Sequence, residues 1–224
     1  MDEPARAPDA AFCLLCGPGA VLQADRRAHV LRCPRCGDRH RLPGHPLFVV
    51  TGASGTGKST VVEALRHRLP DCEVFDADVI LHVAALGWDT WRNTWLQLAH
   101  AIALNGRATV LCGPLIPEHL EDLPARPLVG PIHFCNLDCP DDLLAQRLRA
   151  RPAWRGWTDE RTVEQQRFAG WLRSRIQPTL DTSVLSVDET ADRVASWIRP
   201  LLTRSEADRR RQGNPPFHGA GPAR

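Results

Sequence analysis

Between Leu47 and Leu202, short apolar runs alternate with longer stretches in which apolar residues recur every three or four positions. The runs at 47–51, 73–76, 108–112, 131–137 and 183–187 are largely β-branched, which predicts strands. The stretches at 58–69, 89–105, 140–151, 159–176 and 189–201 carry helical spacing. Asp141 and Asp142 suit a first helical turn, and Asp188 suits an N-cap. Strands that alternate with helices imply an α/β fold with a five-stranded parallel sheet and helices on both faces. Continuous apolar strands, rather than alternating ones, agree with burial on both sides.

The block is bounded by composition. Residues 1–11 are rich in Ala, Pro and charge and are expected to be disordered. Residues 12–42 hold two cysteine pairs and form a module of their own, closed by the break Pro43-Gly44-His45-Pro46. The α/β domain then spans 46–202. From 203 to 224 the chain is polar, with Arg209-Arg210-Arg211 and Pro215-Pro216, and is expected to be a disordered tail. The formal net charge of +2 is too small for a protein built mainly to hold nucleic acid. No stretch reaches the length of a membrane span, and Met1-Asp2-Glu3-Pro4 lacks the basic-then-apolar order of a secretion signal. A reducing, cytoplasmic setting is therefore expected.

The chemistry begins where the first strand meets the first helix. Gly52-Ala53-Ser54-Gly55-Thr56-Gly57-Lys58-Ser59 fits G-x-x-x-x-G-K-[ST] at every fixed position, with Thr60 following in the helix. Glycines let the backbone turn tightly and aim N–H groups at phosphate oxygens, and the helix start adds a favourable dipole. Lys58 is suited to reach the β- and γ-phosphates and Ser59 to hold Mg²⁺. Of 28 basic residues 27 are arginine, and the single lysine is Lys58. A compact ammonium fits between phosphate oxygens where a planar guanidinium does not.

Strand 73–76 ends in Asp76-Ala77-Asp78, two carboxylates at the strand end where ligands bind in open α/β sheets. One can hold the water shell of Mg²⁺ while the other accepts a proton from an attacking hydroxyl. Arg147 and Arg151 are four apart on one helical face, and Arg155 falls in a loop beyond Pro152. Arginines that converge from a mobile segment can neutralise charge on a transferring phosphoryl group, whereas a solvated basic face would do nothing of the kind.

The P-loop, Phe75-Asp76-Ala77-Asp78, Val110-Leu111-Cys112-Gly113 and the run Leu137-Asp138-Cys139-Pro140-Asp141-Asp142 leading to Arg147 and Arg151 together resemble the small P-loop kinases of the shikimate, gluconate, adenylate and nucleoside kinase type. The resemblance covers roughly residues 47–202. It implies Asp76 as the magnesium-side carboxylate, Asp78 as the substrate-side base and Arg147 beside the adenine. It further implies Arg151 and Arg155 as lid arginines and Cys112-Gly113-Pro114 as a turn lining the acceptor pocket. The segment Ser186-Val187-Asp188 would touch the nucleotide base. Asp138, which also ends a strand, leaves a water-activating role open.

Trp88, Trp91 and Trp95 share one helical face beside Arg92. Stacking a nucleobase is one use for them, and packing the helix on the sheet is the preferred one. Cys13-x-x-Cys16 and Cys33-x-x-Cys36, 16 residues apart, match a zinc ribbon that completes a tetrahedral four-thiolate Zn²⁺ site. Arg26, Arg27, Arg32, Arg35, Arg39 and Arg41 could touch nucleic acid, but a structural or partner-docking role is favoured. Cys72, Cys112, Cys135 and Cys139 are expected to pack as small hydrophobes. The expected activity is transfer of phosphate from ATP, with Mg²⁺, to a small molecule, first a nucleoside or nucleotide and second a sugar acid or other metabolite. The rival is a nucleotide-hydrolysing switch whose ribbon binds nucleic acid or a protein, which has no need of the Asp76/Asp78 pair with an arginine lid.

Overall fold

The computed structural model describes residues 12, 13, 15–25, 30–42 and 44–211. The expectations for residues 1–11, for Arg26 and Arg27, and for the tail beyond Arg211 lie outside the described residues.

The N-terminal module is built from short antiparallel strands. Strands β1 (Phe12–Cys13) and β2 (Gly17–Val21) form one pair. Strands β3 (Gln23–Asp25), β4 (Val30–Arg32) and β5 (Arg39–Arg41) form a three-stranded sheet in that order. The α/β domain follows with β6 (Leu47–Thr51), α1 (Lys58–Arg68), β7 (Cys72–Asp76) and a 3-10 segment (Ala77–Leu86). Next come α2 (Trp88–Leu104), β8 (Ala108–Cys112), β9 (Ile132–Asp138) and α3 (Asp141–Arg149), then α4 (Asp159–Arg175), β10 (Thr179–Asp181) and α5 (Val187–Arg211).

The five strands are parallel in the order β10-β9-β6-β8-β7, so β6 lies at the centre and its carboxyl end opens between β8 and β9. Every residue of β6 and β8 is buried, as their unbroken apolar runs require. Successive side chains of β6 point to opposite faces. Phe48 and Val50 join Val61, Leu65, Val194 and Ile198 under α1 and α5. Leu47 and Val49 join Trp91, Trp95 and Leu96 under α2. Trp91 and Trp95 are each 2% exposed, so the tryptophan face packs on the sheet as preferred, while Trp88 stays 56% exposed at the helix start. Cys72, Cys112, Cys135 and Cys139 are buried.

Three expectations require correction. The fifth strand lies at Thr179–Asp181, pairing with Asn136–Asp138, and not at 183–187. Ser186 and Glu189 explain why: Ser186 Oγ accepts from the Glu189 N–H, and Glu189 Oε2 accepts from the Ser186 N–H at 2.8 Å. This capping box starts α5 at Val187 and leaves 183–186 to the turn. Ser186, not Asp188, is accordingly the N-cap. Finally, α5 continues through Pro200 to Arg211, so helix occupies 203–211 where a disordered tail was expected. Among the described residues no helix is long and apolar enough to cross a membrane.

Candidate active site

The P-loop leaves β6 at Gly52, where a Cβ would stand 2.5 Å from the Leu137 carbonyl oxygen and from Thr56 Oγ1, so only glycine fits. Gly57, at φ +97°, turns the chain into α1, and no side chain caps that helix start. The amides of Lys58 and Ser59 are thus left to an outside acceptor, while that of Thr60 donates to the Gly57 carbonyl at 3.0 Å, and the helix dipole suits an anion. Thr56 Oγ1 donates to the Ala53 carbonyl at 2.9 Å and holds the loop's shape. Ser59 and Thr60 sit exposed on the first turn.

Lys58 Nζ donates to the carbonyls of Gly52 and Ala53, both at 2.7 Å. Burial lowers its pKa to about 8; the carboxylates of Asp78 and Asp76 pull it back up, while Arg151 pushes it further down. Asp76 ends β7 opposite Cys112, and its Oδ1 accepts from the Asp78 N–H at 2.9 Å, which starts the 3-10 segment. Burial and the neighbouring Asp76 raise the Asp78 pKa, opposed by Lys58, Arg155 and Arg151. Burial lowers that of Arg151, with Arg155 adding to the fall and Asp78 opposing it. Lys58, Asp76, Asp78, Arg151 and Arg155 therefore share one electrostatic neighbourhood at the carboxyl end of the sheet.

Aromatic rings carry the two far arginines. The Arg151 guanidinium lies 5.4 Å from the ring centre of Trp157, and that of Arg155 lies 4.7 Å from Trp154. Arg147 joins the cradle to the loop after β10. It donates to the Gly55 carbonyl at 3.4 Å and to Thr182 Oγ1 and carbonyl, each at 2.9 Å.

Not every expected residue arrives. Asp188 pairs with Arg68 at 2.9 Å, at the far end of α1. An 11-residue helix separates that pair from Lys58 by roughly 16 Å. The residue that the structure brings toward the cradle is Thr182 instead. Asp138, 7% exposed, is held by Arg173, whose Nε reaches Oδ2 at 2.5 Å and whose Nη2 reaches Oδ1 at 3.3 Å. Its carboxylate is engaged in an ion pair.

Gln165 escaped the sequence reading. Its Oε1 accepts from the Ser54 N–H of the P-loop at 2.8 Å. The only signal was helical spacing: Gln165, Ala169 and Leu172 lie on one face of α4, and Ala169 packs in the same cluster as Ala53.

In the N-terminal module the sulfurs of Cys13, Cys16, Cys33 and Cys36 all lie within 4.8 Å of one another. Bonds of about 2.3 Å in a tetrahedral zinc site put sulfurs about 3.8 Å apart, and Cys13 and Cys36 stand at 3.7 Å. The N–H groups of Arg35 and Cys36 point at the Cys33 sulfur, at 3.4 and 3.5 Å, as suits a thiolate ligand. The donor set fits zinc.

No family model and no curated protein matches the chain. Solved structures do. A sugar kinase from a Janibacter species superposes with a TM-score of 0.53 at 20% identity, covering 69% of this chain and 95% of that one. The tunicamycin resistance protein of Deinococcus radiodurans gives 0.50 at 21% identity, with the same coverage of 69% and 95%. The α/β domain thus has the fold of the small P-loop kinases, extended by a four-cysteine module.

Proposed function

We propose that the protein transfers the γ-phosphate of ATP to a hydroxyl or phosphate of a small molecule. The observation that carries this reading is the convergence of Lys58, the Asp76/Asp78 pair and two arginines on a loop whose helix start lacks a side-chain cap. The amides of Gly55, Gly57, Lys58 and Ser59 hold the phosphate tail, and Lys58 leaves its two carbonyls to bridge the β- and γ-oxygens. Ser59 and Asp76 would hold Mg²⁺, which supplies neutralisation of the phosphate charge. Asp78 takes the proton of the acceptor hydroxyl as its oxygen bonds to the γ-phosphorus and the bond to the β-phosphate oxygen breaks. Arg151 and Arg155 stabilise the charge on the equatorial oxygens. Arg147 borders the base.

The acceptor is read as a nucleoside or nucleotide first and a sugar acid second, bound between the Cys112-Gly113-Pro114 turn and the 3-10 segment. Engagement of both Asp138 oxygens by Arg173 supports transfer over hydrolysis, because it leaves fewer of their lone pairs to orient a water. The test incubates the protein with γ-labelled ATP and a panel of nucleosides, nucleotides, sugars and sugar acids. Label is expected in one acceptor class and is expected to vanish in Lys58→Ala with the fold retained by circular dichroism. Free phosphate alone, stimulated by RNA or DNA, would instead establish the switch.

A further inference from the structure

Among its described residues, the four-cysteine module has one small buried cluster of its own, Cys13, Ala20 and Cys33, with Cys16 and Leu22 packed against it. Two of its described leucines are buried elsewhere. Leu31 and Leu42, 2% and 6% exposed, are members of the cluster formed by Trp91, Trp95, Leu123, Leu128 and Val129 of the α/β domain. Leu22 touches both groups, packing against the buried cysteines and against that same cluster. Packing is therefore continuous from the sulfurs to α2. The cluster also contains Ala77 and Ile80, which flank Asp78. The cluster on the opposite face, under α1 and α5, contains none of the module's described residues.

Strands of two to five residues cannot hold such a module together without a cross-link. We infer that the zinc-loaded module is an intramolecular brace whose partner is the α2 face of its own α/β domain. Metal in the four thiolates fixes β1 to the turn after β4, and this presents Leu22, Leu31 and Leu42 as one surface. That surface holds α2 and the 3-10 segment in register on the sheet. Zinc occupancy thereby sets the order of the half of the domain that carries Asp78, and leaves the half that carries Lys58 alone.

The inference does not depend on phosphotransfer, and its readout is hydrogen exchange on the full chain. After treatment with a zinc-selective chelator, amides in 88–104 and 115–129 should exchange at least about tenfold faster, while 58–68 and 187–198 keep their protection. Restored zinc should restore the protection. Leu31→Ala, and the milder Leu31→Val, should retain one zinc per chain by metal analysis yet show the same loss over α2, graded with the side chain removed. Mg-ATP should still bind the chelated protein by calorimetry. Exchange that changes only within 12–42, or Leu31 variants with wild-type protection of α2, would overturn the brace. So would a wild-type chain that carries no zinc.

Discussion

Replacement of Gly113 by alanine tests whether the turn after β8 and the segment carrying Asp78 are as closely fitted as they stand. A Cβ at Gly113 would lie 2.4 Å from the Ala77 Cβ. Carbon atoms rest at about 3.5–4.0 Å, so one partner must retreat by more than about 1 Å. Gly113 is poorly placed to move, because its N–H is bonded to the Val50 carbonyl of the central strand at 3.1 Å and its carbonyl accepts from Leu115 at 2.8 Å. The displacement falls on Ala77 and, through it, on Asp78.

Overpacking of this kind costs about 1–3 kcal/mol. For a chain of this size that lowers Tm by roughly 2–4 °C per kcal/mol. A shift of about 1 Å in a group that must meet the acceptor hydroxyl costs on the order of 100-fold in turnover. Gly113→Ala should therefore bind Mg-ATP as the wild type does, melt a few degrees lower and lose about two orders of magnitude in kcat. Ala77→Gly removes the offending atom, and the next contact, the Ala77 Cα at 3.8 Å, is an ordinary one. The pair Gly113→Ala/Ala77→Gly should recover most of the turnover, less roughly 0.5–1 kcal/mol of stability for the added glycine. Single-turnover kinetics on the wild type, both singles and the pair decide the matter. A Gly113→Ala protein with wild-type kcat, or a pair no better than that single, refutes the fit.

Two further outcomes follow from the charges. Because the free protein holds the Lys58 ammonium down to about 8, nucleotide binding above that pH must take up a proton. Calorimetry in two buffers of different ionisation enthalpy should find proton uptake on Mg-ATP binding between pH 8 and 9.5, and none in Lys58→Met. The same depression makes Lys58 a better proton binder in the unfolded chain between about 8 and the ordinary 10.5, so its own contribution to nucleotide-free stability should rise with pH across that window. That contribution is read as wild type minus Lys58→Met, because the buried thiols of Cys72, Cys112 and Cys135, pushed up to about 12, act the other way above 9.0. A Tm difference between wild type and Lys58→Met that stays flat across that window removes the buried ammonium. Arg173→Ala strands the Asp138 carboxylate and should cost roughly 2–3 kcal/mol by urea denaturation, a figure kept below that of a fully buried pair because Arg173 is 43% exposed. Arg173→Ala/Asp138→Asn should recover part of that loss, and an undiminished single variant would mean that the pair contributes nothing.

What the sequence made legible was local. The P-loop could be read because Gly52 and Gly57 answer steric demands of a single turn, and because strand and helix on either side announce themselves by period. Strands β6 and β8 could be read because burial on both faces leaves them apolar apart from Thr51 and Thr109, and β9 could be read by its apolar positions Ile132, Phe134, Cys135 and Leu137. The fifth strand could not, since Ser183-Val184-Leu185 looks more strand-like than Thr179-Leu180-Asp181. The outcome turns on the Ser186/Glu189 capping box and on Asn136, whose N–H bonds to the Pro178 carbonyl at 2.9 Å, a partner forty residues away.

Distance along the chain explains the remaining misses. Asp188 was matched to the nucleotide by its place after a strand, but a strand four residues earlier moves it into α5 and against Arg68. Gln165 lies in a helix of mostly exposed polar residues, and nothing in its own neighbourhood tells it from Gln166, which bonds instead to the Asp141 carbonyl. The cysteine spacing gave the four-sulfur cluster of the module because knuckle geometry is local as well. It could not give Leu22, Leu31 and Leu42 their partner. Three leucines in a small polar module look like its private core, and only the fold shows that Leu31 and Leu42 share one buried cluster with Trp91 and Trp95, with Leu22 packed against it. A module that stabilises a neighbour must spend its apolar side chains outward, so its sequence is the one place where that partner leaves no mark.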